Sequence, residues 1–193
     1  MQQVTFYAKS LQLQDLNGTA LNNFVKYWAS NAKTAAGGRD WWFQMDVHGG
    51  KNSAIAKVAS DATAYGHRNK LFLIQFYDRV KGNNAKYPDN GYDFLDAWVD
   101  TTIAPIKEDW GMYYNYADVR MSKDDALWNY WGENAWRLQD IKALVDPNNV
   151  FYNPISIEPA KAKAPAQPSP SPTPTRTAKA KAKATGKSKR RWS

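Results

Sequence analysis

Apolar and polar positions alternate along Asp40 to Gly50, D-W-W-F-Q-M-D-V-H-G-G. Successive side chains of a strand point to opposite faces. Trp41, Phe43, Met45 and Val47 therefore share one face, and Trp42, Gln44, Asp46 and His48 the other. The first face is wholly apolar and needs a core. The second sets an amide, a carboxylate and an imidazole in a row below a Trp, which fits the wall of a site as well as an ordinary half-exposed strand.

The same period of two predicts a strand over Val4 to Leu13 and a strongly apolar one over Lys70 to Asp78, with Leu71, Leu73, Gln75 and Tyr77 on one face. Leu21, Phe24, Val25 and Trp28 have helical spacing and predict an amphipathic helix over Ala20 to Lys33. Tyr92 to Lys107 reads as a second helix, with Phe94, Leu95, Trp98, Val99 and Thr102 on its apolar side. Gly111 to Tyr116 reads as a short aromatic strand with Tyr114 and Tyr116 facing together. Ser122 followed by Asp124 and Asp125 predicts an N-cap, and Leu127, Tyr130, Trp131, Leu138 and Ile141 carry that helix to about Leu144. Asp146-Pro147-Asn148-Asn149 stops it, and Val150 to Ile157 is a final extended segment. Strands and helices joined by long connections predict an α+β fold, an antiparallel sheet with helices packed on one face. The opposite face is left to cover something else.

Charge divides the chain in two. Ten of the 26 basic residues lie in Pro159 to Ser193, which has no acidic residue and six of the ten prolines. The first 158 residues thus carry 16 basic against 18 acidic side chains, near neutral, and are long enough for one cored domain. Residues 159–193 are expected to be a disordered Pro/Ala/Lys-rich tail able to bind polyanions weakly and with salt dependence. Cysteine is absent, which removes disulfides, thiolate metal sites and a Cys nucleophile. No run of about 18 apolar residues predicts a membrane span, and the N-terminus lacks signal-peptide features. Opening almost directly on a strand suggests a piece of something longer. Asn17-Gly18-Thr19 is a glycosylation sequon, relevant only to a secreted protein.

Five stretches in order carry a family resemblance: Gln44 to Gly50; Ala62-Thr63-Ala64-Tyr65-Gly66-His67-Arg68; Ile74-Gln75; Tyr114-Asn115-Tyr116-Ala117-Asp118; and Tyr130-Trp131-Gly132-Glu133-Asn134 with Arg137-Leu138, Lys142 and Asp146 to Phe151. Together they resemble the C-terminal half of the berberine bridge enzyme-like FAD-linked oxidoreductases of the PCMH-type FAD family, and in particular its fungal gluco-oligosaccharide oxidase-like members. Two positions depart from that pattern: Trp131, where a second Tyr is more usual before the Gly, and Ile155, where a Gln often follows the Pro. The resemblance implies residues 1–110 as a partial substrate domain and 111–158 as a berberine-like C-terminal segment. It implies FAD, bound mainly by a domain outside this chain, an oligosaccharide or similar alcohol as substrate, oxygen as acceptor, and secretion of the full-length protein.

Carried onto these residues, the resemblance implies Tyr116 as the general base for the sugar's anomeric hydroxyl. Asp46 would assist by accepting a hydrogen bond from that phenol, Gln44 and Gln75 would bind sugar hydroxyls, and Tyr114 and Asn115 would meet the cofactor. The residue types suit these tasks: a Tyr with a pKa near 10 needs help to act as a base at neutral pH, and amides both donate and accept. Structural readings stand beside these. Tyr116 also suits a core aromatic, Asp46 an ion pair with Arg68 or Lys51, and Gln44 and Gln75 sheet-to-loop hydrogen bonds. His48 and His67 with Asp46 lack a clear further ligand, so no metal is expected. The alternative function is a non-enzymatic aromatic-rich domain tethered to polyanions or nucleic acid by the basic tail.

Overall fold

The computed structural model of the chain describes residues 5–35, 38–82, 85–106 and 109–161. The basic tail from 162 onward lies outside the described residues. The elements are β1 (Phe6–Leu13), α1 (Gly18–Ala35), β2 (Arg39–Val47), a 3-10 turn (Ile55–Lys57), β3 (Phe72–Val80), α2 (Tyr92–Ile103), β4 (Trp110–Gly111), α3 (Lys123–Trp131) and α4 (Asn134–Val145). The strands form one sheet in the order β2-β3-β1-β4, every neighbour antiparallel. This is the expected α+β architecture.

One sheet face packs on α1 and α2. Its centre is Trp98 of α2, fully buried, with the rings of Phe24, Phe43, Phe76 and Phe94 between 4.9 and 5.6 Å away. Trp41, Phe43 and Met45 of β2 pack against this core as their alternation predicts. Val47 does not: it lies at the end of the outermost strand and is 76% exposed. The stripe expected on α1 is also only partly used. Phe24 is buried, whereas Leu21, Val25 and Trp28 remain exposed. The helix begins where Asn17 Oδ1 accepts from the backbone N–H groups of Thr19 and Ala20, satisfying donors that a helix start otherwise leaves open.

Three sequence expectations need correction. The strand predicted over 111–116 ends after Gly111. Beyond it the Met112 N–H donates to the Asn129 carbonyl, and Tyr113 is taken up by a side chain of β1, so no further ladder bonds form. The helix predicted from Ser122 to about Leu144 is two helices, because Gly132 takes a positive φ of 54°, a conformation that favours glycine and breaks the ladder. The predicted N-cap does form, with Ser122 Oγ accepting from the Asp125 N–H. Residues 150–157 form turns rather than a strand. Asp146 accepts from the N–H groups of Val150 and Phe151 and folds the chain back on itself.

A buried polar cluster ties β1 to α2 and to the segment after Tyr116. Lys9 Nζ pairs with Asp96 at 2.7 Å and Asp118 at 2.9 Å, and the Tyr7 hydroxyl donates to Asp96 at 2.7 Å. Burial, reinforced by the two carboxylates, pushes the Tyr7 phenol far up from its ordinary value. A second buried cluster, Arg39, Asp78 and Tyr87, joins β2 and β3 to the turn before α2.

Candidate active site on the open sheet face

The face away from α1 and α2 is set by register. Gln75 of β3 lies opposite Gln44 of β2 on one side and Ser10 of β1 on the other, so these three polar residues form one cross-strand row. Facing residues in such a row stand about 5 Å apart at their Cβ atoms. One row up, Trp42 stacks on Tyr77 at 5.2 Å between ring centres, and Tyr77 stacks on Phe6 at 5.2 Å. One row down lie Asp46, Leu73 and Gln12.

The Tyr113–Tyr116 turn is pinned to this face through Ser10. Ser10 Oγ accepts from the Tyr113 N–H at 2.8 Å and donates to the Tyr113 carbonyl at 3.2 Å. Tyr116 N–H closes the turn on that carbonyl at 2.9 Å, and the Tyr116 ring packs edge-on against Tyr113 at 5.3 Å. The turn bearing Tyr116 is thus anchored to the residue beside Gln75. The expected hydrogen bond from Tyr116 to Asp46 is not formed. Both oxygens of Asp46 instead accept from Gln44 Nε2, at 2.9 and 3.1 Å. With its amino group so engaged, Gln44 presents its carbonyl oxygen as an acceptor.

Tyr114 and Tyr116 do not face together. Tyr114 turns toward α3, with the Tyr130 ring at 5.8 Å and the Trp131 ring at 5.0 Å. Burial pushes the Tyr130 phenol up to about 12, and its oxygen accepts from the Asp118 N–H. Tyr114 and Asn115 line a recess of about 390 Å³, together with His48, Tyr65, Arg68 and Tyr113 among others. Its walls are mostly aromatic. Gln44, Asp46, Gln75 and Tyr116 are not among its lining residues.

Tyr65 organises that recess. It accepts from Gln12 Nε2 at 2.5 Å, and its hydroxyl lies 2.8 Å from His48 Nε2. Burial holds the His48 pKa below the ordinary histidine value; Asp46 opposes this and Arg68 reinforces it. The Arg68 guanidinium lies over the Tyr65 ring at 5.0 Å and donates to Thr63 Oγ1 at 2.6 Å. His67 is occupied otherwise, donating from Nε2 to the Asn129 carbonyl at 2.8 Å. Sequence reasoning missed Ser10, Gln12 and Tyr65 as site-builders. The signal was there for the first two, since both are polar on the face of β1 opposite Leu11 and Leu13.

A family profile described as berberine and berberine like matches residues 112–158. The chain is 52% identical over 157 residues to a carbohydrate oxidase of Microdochium nivale, a match covering 81% of this chain. The chain carries a berberine-like segment over residues 112–158. It spans about a third of the length of the curated relatives it matches, 31% in the Microdochium case, and represents a C-terminal region of the family. The crystal structure of the Microdochium nivale carbohydrate oxidase in complex with a substrate analogue superposes with a TM-score of 0.76 at 49% identity, covering 82% of this chain and 33% of that one. A glucooligosaccharide oxidase from Acremonium strictum, whose FAD is described as 6-S-cysteinyl, 8α-N1-histidyl, superposes with a TM-score of 0.75 at 44% identity, covering 81% and 34%.

Proposed function

We propose that this berberine-like chain forms the substrate-facing part of an FAD-dependent oxidase acting on the anomeric CH–OH of an oligosaccharide, with oxygen as the electron acceptor and hydrogen peroxide as a product. The observation that carries the reading is the Gln44–Gln75–Ser10 row with the Tyr113–Tyr116 turn pinned to it.

In this reading Gln44 accepts a sugar hydroxyl through its carbonyl oxygen, its amino group being held by Asp46. Gln75, opposite it, binds a second hydroxyl. Tyr116 takes the proton of the C1 hydroxyl as the C1 hydride leaves, so that the sugar departs as a lactone. Asp46 acts on this chemistry through Gln44, not through a direct bond to Tyr116. FAD, when bound, supplies the hydride acceptor and returns the electrons to oxygen. The residues present suit such a group: the recess beside Tyr114 and Asn115 combines aromatic walls with N–H donors on Arg68, Asn115 and His48, a set that matches a planar, acceptor-rich ring. A cysteinyl link to it cannot come from this chain, which has no cysteine. Because the chain spans about a third of its relatives, turnover is proposed to need a flavin-binding part outside it.

The test uses protein in which this chain is joined to such a part. Tyr116→Phe should slow flavin reduction by cellobiose at least about tenfold, since positioned acid–base catalysis typically contributes more. An unchanged rate removes Tyr116 from the chemistry. Peroxide release from cellobiose by the isolated 193-residue chain removes the dependence on a flavin-binding part.

A further inference from the structure

Apart from the Gln44–Gln75 row, a second recess of about 580 Å³ opens between the loop before β3 and the α3–α4 junction. Trp110, Trp128 and Trp131 line it with Asp61, Glu133 and Arg137. Trp131 also lines the aromatic recess, so one indole separates the two. The walls are fixed by internal bonds. Asn134 Nδ2 donates to the Ser60 carbonyl at 2.7 Å, and Arg137 donates to the Asp61 carbonyl at 2.7 Å. On the far side the His67 ring lies so close to Gly111 that a Cβ there would come within 2.3 Å of it.

The chemistry of this recess selects its ligand. Lys70 also borders it but is paired with Asp109. That leaves two carboxylates and one guanidinium, close to balance, which disfavours a phosphate. Groups of three or more side chains placed to hold a metal ion are absent among the described residues. The carboxylates of Asp61 and Glu133 have no hydrogen-bond or ion-pair partner among the described residues, so both can accept from hydroxyl groups. Trp128 is 56% exposed and offers an indole surface to a ligand. Aromatic faces beside polar acceptors and a fixed donor suit an uncharged ring that is apolar on its faces and hydroxylated at its edge. The volume falls in the ~300–1,000 Å³ range of small-molecule sites.

We infer that this recess is a second saccharide-binding site, distinct from the sheet-face row. The inference goes beyond the oxidase reading and does not depend on it. It is tested by calorimetric titration of the 193-residue chain with cellotetraose, following indole fluorescence in parallel. The expected result is a saturable component weakened at least about tenfold, some 1.4 kcal/mol, by Trp128→Ala and by Glu133→Ala, and kept within about twofold in Gln75→Ala. Both recess side chains are exposed, so neither truncation opens the core; unchanged thermal midpoints check this. Absence of saturable binding overturns the inference. So does binding lost in Gln75→Ala but retained in Trp128→Ala, which places the sugar on the sheet face and leaves the oxidase reading standing. Displacement of the sugar by inorganic sulfate also overturns it, since that marks an anion site.

Discussion

Ser10→Ala tests how the turn carrying Tyr116 is held. The β1–β4 ladder pairs Leu13 with Trp110 and Gln12 with Gly111, and the same register continued would set Ser10 opposite Tyr113. The backbone does not make that pair. The Ser10 hydroxyl serves in its place, bonded to both the N–H and the carbonyl of Tyr113. Ser10 is fully buried. Removing its oxygen deletes two hydrogen bonds, each worth about 1 kcal/mol net, and leaves a backbone donor unpaired where burial makes that costly. The expected loss is therefore about 2–3 kcal/mol, read as a shift of the urea midpoint at constant slope, or about 5–10 °C in Tm. The Tyr113 amide should lose hydrogen-exchange protection in the same variant. A loss below about 0.5 kcal/mol with protection retained would mean that the turn settles onto the ladder by itself, and that Ser10 does not position it.

Lys9→Met removes the cation between Asp96 and Asp118. Breaking a buried pair from one side costs about 3–5 kcal/mol, and the lower end is expected here because Asp96 keeps Tyr7 and Arg120 as partners; a urea midpoint within error of the parent contradicts this. Gly111→Ala drives a methyl group into the His67 ring and should cost about 1–3 kcal/mol by overpacking, checked by the thermal midpoint. Acidification should destabilise the chain. Burial holds His48 and His67 below the ordinary histidine pKa, so the unfolded state takes up protons first. Their contribution is intact above pH ~6.5 and is lost as pH falls below it. A urea midpoint that does not drop between about pH 7.5 and pH 5.5 refutes the sign.

The sequence made the faces of β2 legible because alternation is a local signal and one face had to be apolar. It placed Gln44 and Gln75 on strands but not opposite each other, since register between strands far apart in sequence is set by pairing. The strand expected at 111–116 failed for a related reason. Local β-propensity over G-M-Y-Y-N-Y lost to two non-local partners, the Asn129 carbonyl and the Ser10 hydroxyl. The helix break at Gly132 left only a glycine inside an apolar period, a weak signal on its own. The Asp46–Tyr116 bond came from resemblance alone. The structure gives Asp46 to Gln44, two residues away on the same strand face, which a period of two could have suggested.

The turn that carries Tyr116 is gripped at both ends by consecutive residues of β1 that point to opposite faces. Ser10, on the open face, holds Tyr113, while Lys9, on the helix-packed face, holds Asp118. One strand can do this only where its edge is free, because the connecting chain must pass from one face of the sheet to the other. The two-residue β4 leaves that edge open: its ladder stops at Gln12, and beyond it the chain is fastened by side chains. A longer β4 would extend the ladder along β1 and carry Tyr113 to Tyr116 in the sheet plane, with alternate side chains on opposite faces. Ending β4 early gives up a few backbone bonds and obtains a turn fastened to Ser10, the residue paired with Gln75. The buried Lys9–Asp118 pair fits the same arrangement. An ion pair adds little net stability once desolvation is counted, but its geometry fixes where the segment after Tyr116 returns to the core.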